Sequence, residues 1–365
     1  MFTFLLVLVL FGAGTFIYMQ RPEFGASPSA GRLERIKKSP HYKDGKFENQ
    51  HFTPALTEGY SYPEVLYEFI FSKRERRVPV DNIPSVKTDL KALDLSQDVL
   101  VWFGHSSYFL QLDGKRILVD PVFSGNASPL PGSNKAFKGT ERYSVDDLPE
   151  IDYLFISHDH YDHADYETLL KLNNKTGRVI CGLGVGEHLE RSGFAASKIV
   201  EKDWYEKIEL DSGFVVHTIP ARHFSGRGFS RNNTLWLSFL LQSPSLKIFI
   251  GGDSGYDTHF AEAGNKFGPI DLAILENGQY DIKWKYIHML PDEVLKAAND
   301  LKAKRLFPVH SSKFAMANHA WDEPLKKLTE LNKKQNVPVI TPVIGERVNL
   351  RDQHQQFKQW WLEVQ

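Results

Sequence analysis

Six consecutive residues, His158-Asp159-His160-Tyr161-Asp162-His163, follow one serine after the apolar run Tyr153-Leu154-Phe155-Ile156. A strand that empties into a turn this dense in histidine and aspartate is a metal-binding signature. Along an extended segment alternate side chains share a face, so His158 and His160 can reach one cation together. The chain then turns, and Asp162 and His163 can face a second cation beside the first. Imidazole and carboxylate donors suit zinc, with iron or manganese as alternatives. The bland alternative is a solvated loop that happens to be rich in histidine.

More donors stand where later strands end. Residues 214–220 read as a strand running into Ala221-Arg222-His223, residues 246–250 end in Gly251-Gly252-Asp253-Ser254-Gly255, and residues 305–309 end in His310. Donors at the ends of rigid strands can be held tightly enough to fix a coordination geometry. A lone histidine is more often structural than a ligand, but these donors recur in order after the His/Asp turn and are read together.

With these residues the chain resembles the metallo-β-lactamase fold hydrolases, in their HxHxDH turn and the later His, Asp and His. The stretches Thr218-Ile219-Pro220-Ala221-Arg222-His223, Gly252-Asp253-Ser254-Gly255-Tyr256 and Tyr286-Ile287-His288-Met289, with Pro291-Asp292-Glu293 after the last, resemble the branch containing N-acylphosphatidylethanolamine-hydrolysing phospholipase D. The resemblance covers roughly residues 98–345 and implies two zinc ions per chain. It implies one ion on His158, His160 and His223, the other on Asp162, His163 and His310, and Asp253 bridging both. The chemistry agrees: a carboxylate can bridge two cations about 3.5–4 Å apart, and zinc acidifies water to a pKa of about 7, so no serine or cysteine nucleophile is needed. Asp162 and Asp253 are therefore expected to act catalytically. The single cysteine, Cys181, lies outside every motif and reads as a small buried residue. Asp159 should point away from the first ion and orient a ligating imidazole.

The chain of 365 residues is long enough for one large domain with an extension, and its 44 basic against 45 acidic residues leave no field that would recommend a nucleic acid as partner. One cysteine excludes an internal disulfide framework. Four segments are expected: a hydrophobic stretch over 1–20, an accessory extension over 21–97, the hydrolase domain over 98–350 and a tail over 351–365. Residues 2–19 form an almost unbroken apolar run without a charge, read as a single membrane span. The basic residues that follow would keep the catalytic domain cytoplasmic, and a cleaved export signal is the alternative. In the extension, Val65, Leu66, Phe69 and Ile70 fall at helical spacing before Lys73, Arg74, Arg76 and Arg77. That helix is expected to pack on the hydrolase domain, with an interfacial helix meeting anionic lipid as the alternative.

Asp113-Gly114 predicts a tight hairpin between Tyr108–Leu112 and 116–119, and a second hairpin is expected between 235–241 and 246–250. Helices are expected at Tyr166–Leu172, at 291–301 with proline at the start, and at 323–333. Strands alternating with helices and hairpins suit an α/β fold of two mixed sheets with helices outside, an αβ/βα sandwich with the metals at one edge.

Substrate contacts are expected from His105, which ends a strand and reads equally as a histidine hydrogen-bonded behind the ligands, and from Tyr280 and His288 in an aromatic loop with Trp284 and Tyr286. His288 could orient a phosphate or donate a proton. The aromatic loop could form an apolar wall for acyl chains or close the core. Of Arg222, Arg227 and Arg231, one could bind phosphate bidentately while the others make ordinary surface pairs. The leading functional expectation is a dinuclear phosphodiesterase with phospholipase D-type activity on an N-acylphosphatidylethanolamine-like phospholipid. A lactonase or other hydrolase acting on a soluble ester or phosphodiester is the alternative, and a non-catalytic metal-binding scaffold at the membrane is the reading of a different class.

Overall fold

The computed structural model describes residues 2–72, 74–130 and 132–365, without the side chains of Phe2 and Phe69. The N-terminal part carries helices α1 (Phe2–Tyr18), α2 (Ala30–Ile36) and α3 (Tyr62–Phe71), and a small hairpin of β1 (Tyr42–Lys43) and β2 (Lys46–Phe47). One sheet is built from β3 (Val99–Trp102), β4 (Tyr108–Leu112), β5 (Lys115–Val119), β6 (Ile151–Ile156), β7 (Thr176–Gly182) and β8 (Ile199–Lys202), with α4 (Tyr166–Leu172) and α5 (Val185–Arg191) between its strands. The other follows with β9 (Lys207–Glu209), β10 (Val215–Ile219), β11 (Ser238–Gln242), β12 (Lys247–Ile250), β13 (Leu272–Glu276) and β14 (Leu306–Val309), alongside α6 (His259–Phe267), α7 (Pro291–Asp300) and α8 (Glu323–Asn332). The last strand, β15 (Arg347–Asn349), returns to pair with β3, giving sheet orders β15-β3-β4-β5-β6-β7-β8 and β14-β13-β12-β11-β10-β9.

Alternation along the strands decides the layers. In β6, Tyr153 and Phe155 face a central core shared with Phe239 and Ile274 of the opposite sheet. Leu154 and Ile156, one residue out of phase, face an outer core with Leu169 and Leu172 of α4 and Leu189 of α5. Across the molecule, Leu240, Phe249 and Ala273 face outward onto Phe260 of α6, Leu295 of α7 and Leu328 of α8. A period-2 pattern apolar on both faces belongs to strands covered on both sides, which yields the expected αβ/βα sandwich. The Asp113-Gly114 turn has both residues at positive φ, 44° and 77°, as a twist-matched two-residue hairpin requires. The second hairpin starts later than expected, at Ser238, because Leu235 and Leu237 give their N–H groups to Leu183 and Ser157 beside the other sheet.

The apolar run at the N-terminus is corrected by its structure. It forms α1, 17 residues long, and among the described residues no helix is long and apolar enough to cross a membrane. Seventeen residues at 1.5 Å each reach about 26 Å, short of a hydrocarbon core of about 30 Å. The Tyr18 hydroxyl donates to the Pro129 carbonyl at 2.8 Å, fixing the helix end to the globular part. The expected single span, and the cytoplasmic placement of the catalytic domain inferred from it, are withdrawn. Helix α3 meets the domain in part, through the Glu68–Lys283 ion pair at 2.8 Å, while its Leu66, Tyr67, Ile70 and Phe71 are 58–68% exposed and stand away from any core. Of the basic cluster beyond it, Lys73 lies outside the described residues. Arg74 bonds the Glu68 carbonyl, Arg76 pairs with Asp322 and Arg77 bonds the Ala315 carbonyl.

Candidate metal centre

The donors anticipated from the sequence converge beyond the C-terminal ends of the strands. Strands β6, β10, β12 and β14 run out into His158, His223, Asp253 and His310 respectively. Positive φ angles at His310 (67°) and His105 (53°) mark backbone held in sparsely populated conformations here, as functional sites often require.

Three imidazole nitrogens face one another in the first group. His160 Nδ1 lies 2.9 Å from His158 Nε2 and 3.2 Å from His223 Nε2, and Asp253 Oδ2 is 3.8 Å from each of the latter two. His223 Nδ1 donates to the Ile287 carbonyl at 2.9 Å, so its Nε2 carries a lone pair into the cluster. In the second group, Asp162 Oδ2 is 3.4 Å from His163 Nε2 and 3.3 Å from His310 Nε2. Asp253 reaches both groups, its Oδ1 3.2 Å from His163 Nε2 and its Oδ2 3.1 Å from His310 Nε2. His163 Nε2 and Asp253 Oδ1 are buried and have no hydrogen-bond partner. Converging lone pairs and orphaned buried polar atoms are what a cation would satisfy, and both groups could hold a metal ion. Electrostatics agree. Burial alone would raise the Asp253 carboxyl, but the charges of His163 and His310 outweigh it and hold it well below the usual carboxylate range. Burial likewise opposes a proton on His163, and Asp253 and Asp162 override it. The cluster is negative enough to stabilise positive charge in a buried place.

The surrounding residues fix the donors, and several were not anticipated. Asp120, just past β5, accepts from His163 Nδ1 at 2.8 Å and is itself held by the Ser157 N–H and hydroxyl. Glu276, the last residue of β13, is fully buried. Its Oε2 lies 2.6 Å from His288 Nδ1 and 3.3 Å from His310 Nδ1, and its Oε1 accepts from the Ser254 and Met289 N–H groups. Each is an acid at the end of an apolar strand, a signal the sequence does carry. From the extension, Asn49 brackets the His223 backbone, accepting from its N–H at 3.1 Å and donating to its carbonyl at 2.8 Å.

Three expectations change. Asp159 orients none of the ligating imidazoles; its carboxylate accepts from the Gly226 N–H, the Thr234 hydroxyl and His188 Nε2. His105 is buried beneath the cluster, its Nε2 2.8 Å from Asp162, and burial and neighbouring His310 push its imidazole down to about 3. It touches a donor rather than the open cavity. Tyr280 turns away, its hydroxyl bonded to Glu323 and its ring stacked on His319 at 4.9 Å.

A cavity of about 610 Å³ opens over the cluster, with His160, Asp162, His223, Asp253, His288 and His310 on its floor. Its walls combine Leu56 and Val65 from the extension and Trp284, Ile287 and Met316 from the domain with the cations Lys46 and Arg231. Arg231 is thus the arginine of the three that reaches the cavity. Arg222 instead bonds the Phe52 carbonyl and the Thr53 hydroxyl, and Arg227 is buried.

The beta-lactamase superfamily domain matches residues 115–311. An uncharacterized protein of Mycobacterium tuberculosis is 36% identical over 319 residues, covering 86% of this chain and 85% of its own. The N-acyl-phosphatidylethanolamine-hydrolyzing phospholipase D 1 of Caenorhabditis elegans is 28% identical over 295 residues, 72% of this chain and 81% of its own. In structure, the diiron β-hydroxylase CmlA of Streptomyces venezuelae shares the fold with a TM-score of 0.53 at 21% identity, over 69% of this chain and 54% of its own.

Proposed function

The chain belongs to the metallo-β-lactamase superfamily as a metal-dependent hydrolase, and we propose that within it this protein is a dinuclear phosphodiesterase cleaving a phospholipid of the N-acylphosphatidylethanolamine type in the manner of a phospholipase D. The observation that carries this reading is the composition of the cavity. A floor of metal donors, an apolar wall of Leu56, Val65, Trp284 and Met316, and the cations Lys46 and Arg231 suit an anionic phosphodiester attached to hydrocarbon. Tyr62, 63% exposed, adds an aromatic ring to that lining. The likeness to a phospholipase D of this type supports the same substrate class.

In this reading His158, His160 and His223 would hold one ion and Asp162, His163 and His310 the other, with Asp253 within reach of both. Two bound cations would supply polarisation of the phosphoryl oxygen and acidification of water at neutral pH. The protein's own part is to present lone pairs and manage protons. Asp120 keeps the proton of His163 on Nδ1 and the Ile287 carbonyl does so for His223, leaving each Nε2 free to bind. Glu276 holds His288 by Nδ1 at the cavity floor, where the imidazole can give a proton to the departing alcohol. Zinc suits this donor set, and so does iron, which the likeness to a diiron protein keeps in view.

The test is a substrate panel on metal-loaded protein with product identification: an N-acylphosphatidylethanolamine, a simple phosphodiester and a lactone. Release of N-acylethanolamine and phosphatidic acid is expected. Turnover of the lactone alone would replace the phospholipid reading with the lactonase one, and turnover of nothing by fully loaded protein would favour a scaffold.

A further inference from the structure

Arg227 is 6% exposed and carries its charge inward, to backbone oxygens. Its Nη1 donates to the Asp159 carbonyl at 2.6 Å and to the Ala164 carbonyl at 2.8 Å, the two ends of the 159–164 turn. The guanidinium lies 4.2 Å over the ring of Tyr161 in the middle of that turn, and the Tyr161 hydroxyl donates back to the Arg227 carbonyl at 2.6 Å. The third arm, Nε, donates to the Glu23 carbonyl at 2.8 Å, in the segment just after α1. One planar cation therefore pins a loop at both ends and the middle and ties it to the N-terminal segment. A buried guanidinium costs several kcal/mol in desolvation, and its planar fork serves the Glu23 carbonyl through Nε and the two turn carbonyls through Nη1, donors that a lysine would have to supply from one point.

A second link runs beside the first. The Ala26 N–H donates to His188 Nδ1 at 3.1 Å, which leaves His188 Nε2 to donate to the Asp159 carboxylate at 3.3 Å. Asp159 is the residue between His158 and His160. The approach needs glycine at the neighbouring position: Gly25 has φ +76°, and a Cβ there would stand 2.3 Å from His188 Nδ1.

From these contacts we propose that Arg227 is a positioning residue for the metal centre, and that residues 23–26 are a clasp which, through Arg227 and His188, holds the 159–164 turn in its binding geometry. The inference rests on the metal assignment above and not on the substrate. Neither Arg227 nor the clasp touches a donor atom. They fix the backbone that aims His160, Asp162 and His163, and supporting contacts of this kind typically change metal affinity 10–100-fold.

The experiment uses the full-length protein and the variants Arg227→Lys, Arg227→Met and Gly25→Ala. For each, metal dissociation is measured by competition with a chelator, the visible spectrum of the cobalt(II)-substituted protein is recorded, and kcat and KM are determined. Arg227→Met should release at least one ion on the order of 10–100-fold more readily, with an altered cobalt spectrum and a lower kcat at little-changed KM. Arg227→Lys, which keeps the charge but not the fork, should fall between it and the native protein. Gly25→Ala, remote from the cavity floor, should shift affinity and spectrum in the same direction by a smaller factor. Should Arg227→Met fail to fold, the lysine and glycine variants decide. Native affinity and an unchanged spectrum in Arg227→Lys and Gly25→Ala overturn the clasp. A native protein that retains its metals but ignores phospholipid sinks the substrate reading while leaving the clasp standing, whereas a native protein that binds no metal overturns both.

Discussion

His163 Nε2 stands 3.2 Å from Asp253 Oδ1, and neither atom has a hydrogen-bond partner although both are buried. Buried polar atoms usually find partners, and two orphaned ones this close together within a set of metal donors concentrate the argument for a dinuclear centre. Protein purified with excess zinc or iron should contain two ions per chain by elemental analysis. Asp253→Asn keeps the shape but loses the charge and the capacity to bridge. It should lose metal and reduce kcat/KM by on the order of 10³-fold, several kcal/mol of transition-state stabilisation. Native turnover by this variant would remove Asp253 from the bridge.

Metal removal should also show in stability. Without cations the cluster buries Asp162 and Asp253 beside His158, His160 and His223, whose ring nitrogens confront one another at 2.9 and 3.2 Å. A ligand that binds only the folded chain at about 1,000 times its Kd stabilises by about 4 kcal/mol. Dialysis against a chelator should therefore lower the melting temperature by several degrees, and restoring the metal should recover it. An identical melting curve in both states would mean that the site does not bind in the folded protein.

Cys181 supplies a contrasting case. It lies on β7 in the outer core, fully buried, and burial pushes its thiol well above the usual range. Iodoacetamide should leave the folded protein unlabelled, and Cys181→Ala should retain turnover with a stability loss of about 1 kcal/mol. Inactivation by thiol reagents in the folded state would require a different account of the chemistry.

What the sequence disclosed follows physical range. The 158–163 turn was legible because its donors are adjacent and their strand is local. The helices at Tyr166–Leu172 and Pro291–Asp300 were legible from periodicity and, for the second, its leading proline. Asp120 and Glu276 were missed because a single acid at a strand end resembles any loop acid until the fold sets it against His163, His288 or His310. Tyr280 was misplaced because an aromatic loop does not reveal which of its rings turns inward: Trp284 lines the cavity and Tyr280 packs on His319. The N-terminal run misled because counting apolar residues ignores both the break at Tyr18 and the contact that Tyr18 makes with Pro129. Arg227 reads as one more surface cation until its three carbonyl partners, far apart in sequence, are seen together.

Glu276 permits a coupled test. Its Oε2 serves His288 and His310 at once, so Glu276→Gln should disturb both the orientation of the proton donor and a metal ligand. A loss of about 10–100-fold in activity is expected, with weakened metal retention. His288→Ala should leave metal content near native while lowering kcat. Because the two residues share one contact, the double variant should lose less than the product of the single losses. Strictly multiplicative losses would show that Glu276 acts without His288.

Lys313 gives a pH signature separate from catalysis. It follows His310 by three residues and is 2% exposed, its Nζ donating to the Val122 carbonyl at 2.8 Å and the Phe103 carbonyl at 3.2 Å, and it is absent from the ion pairs of the described residues. Burial pushes its ammonium down to about 8, from an ordinary value of 10.5. The unfolded chain therefore binds the proton more tightly than the folded one. The contribution of Lys313 to stability is fully present above pH 10.5 and is lost as pH falls through 8. Native protein should thus gain stability relative to Lys313→Met between about pH 8 and 10.5, with the difference flat below that window. Denaturant titrations of both proteins at pH 7, 8, 9 and 10 measure it. A difference that does not change with pH would mean that the buried amine keeps its ordinary proton affinity.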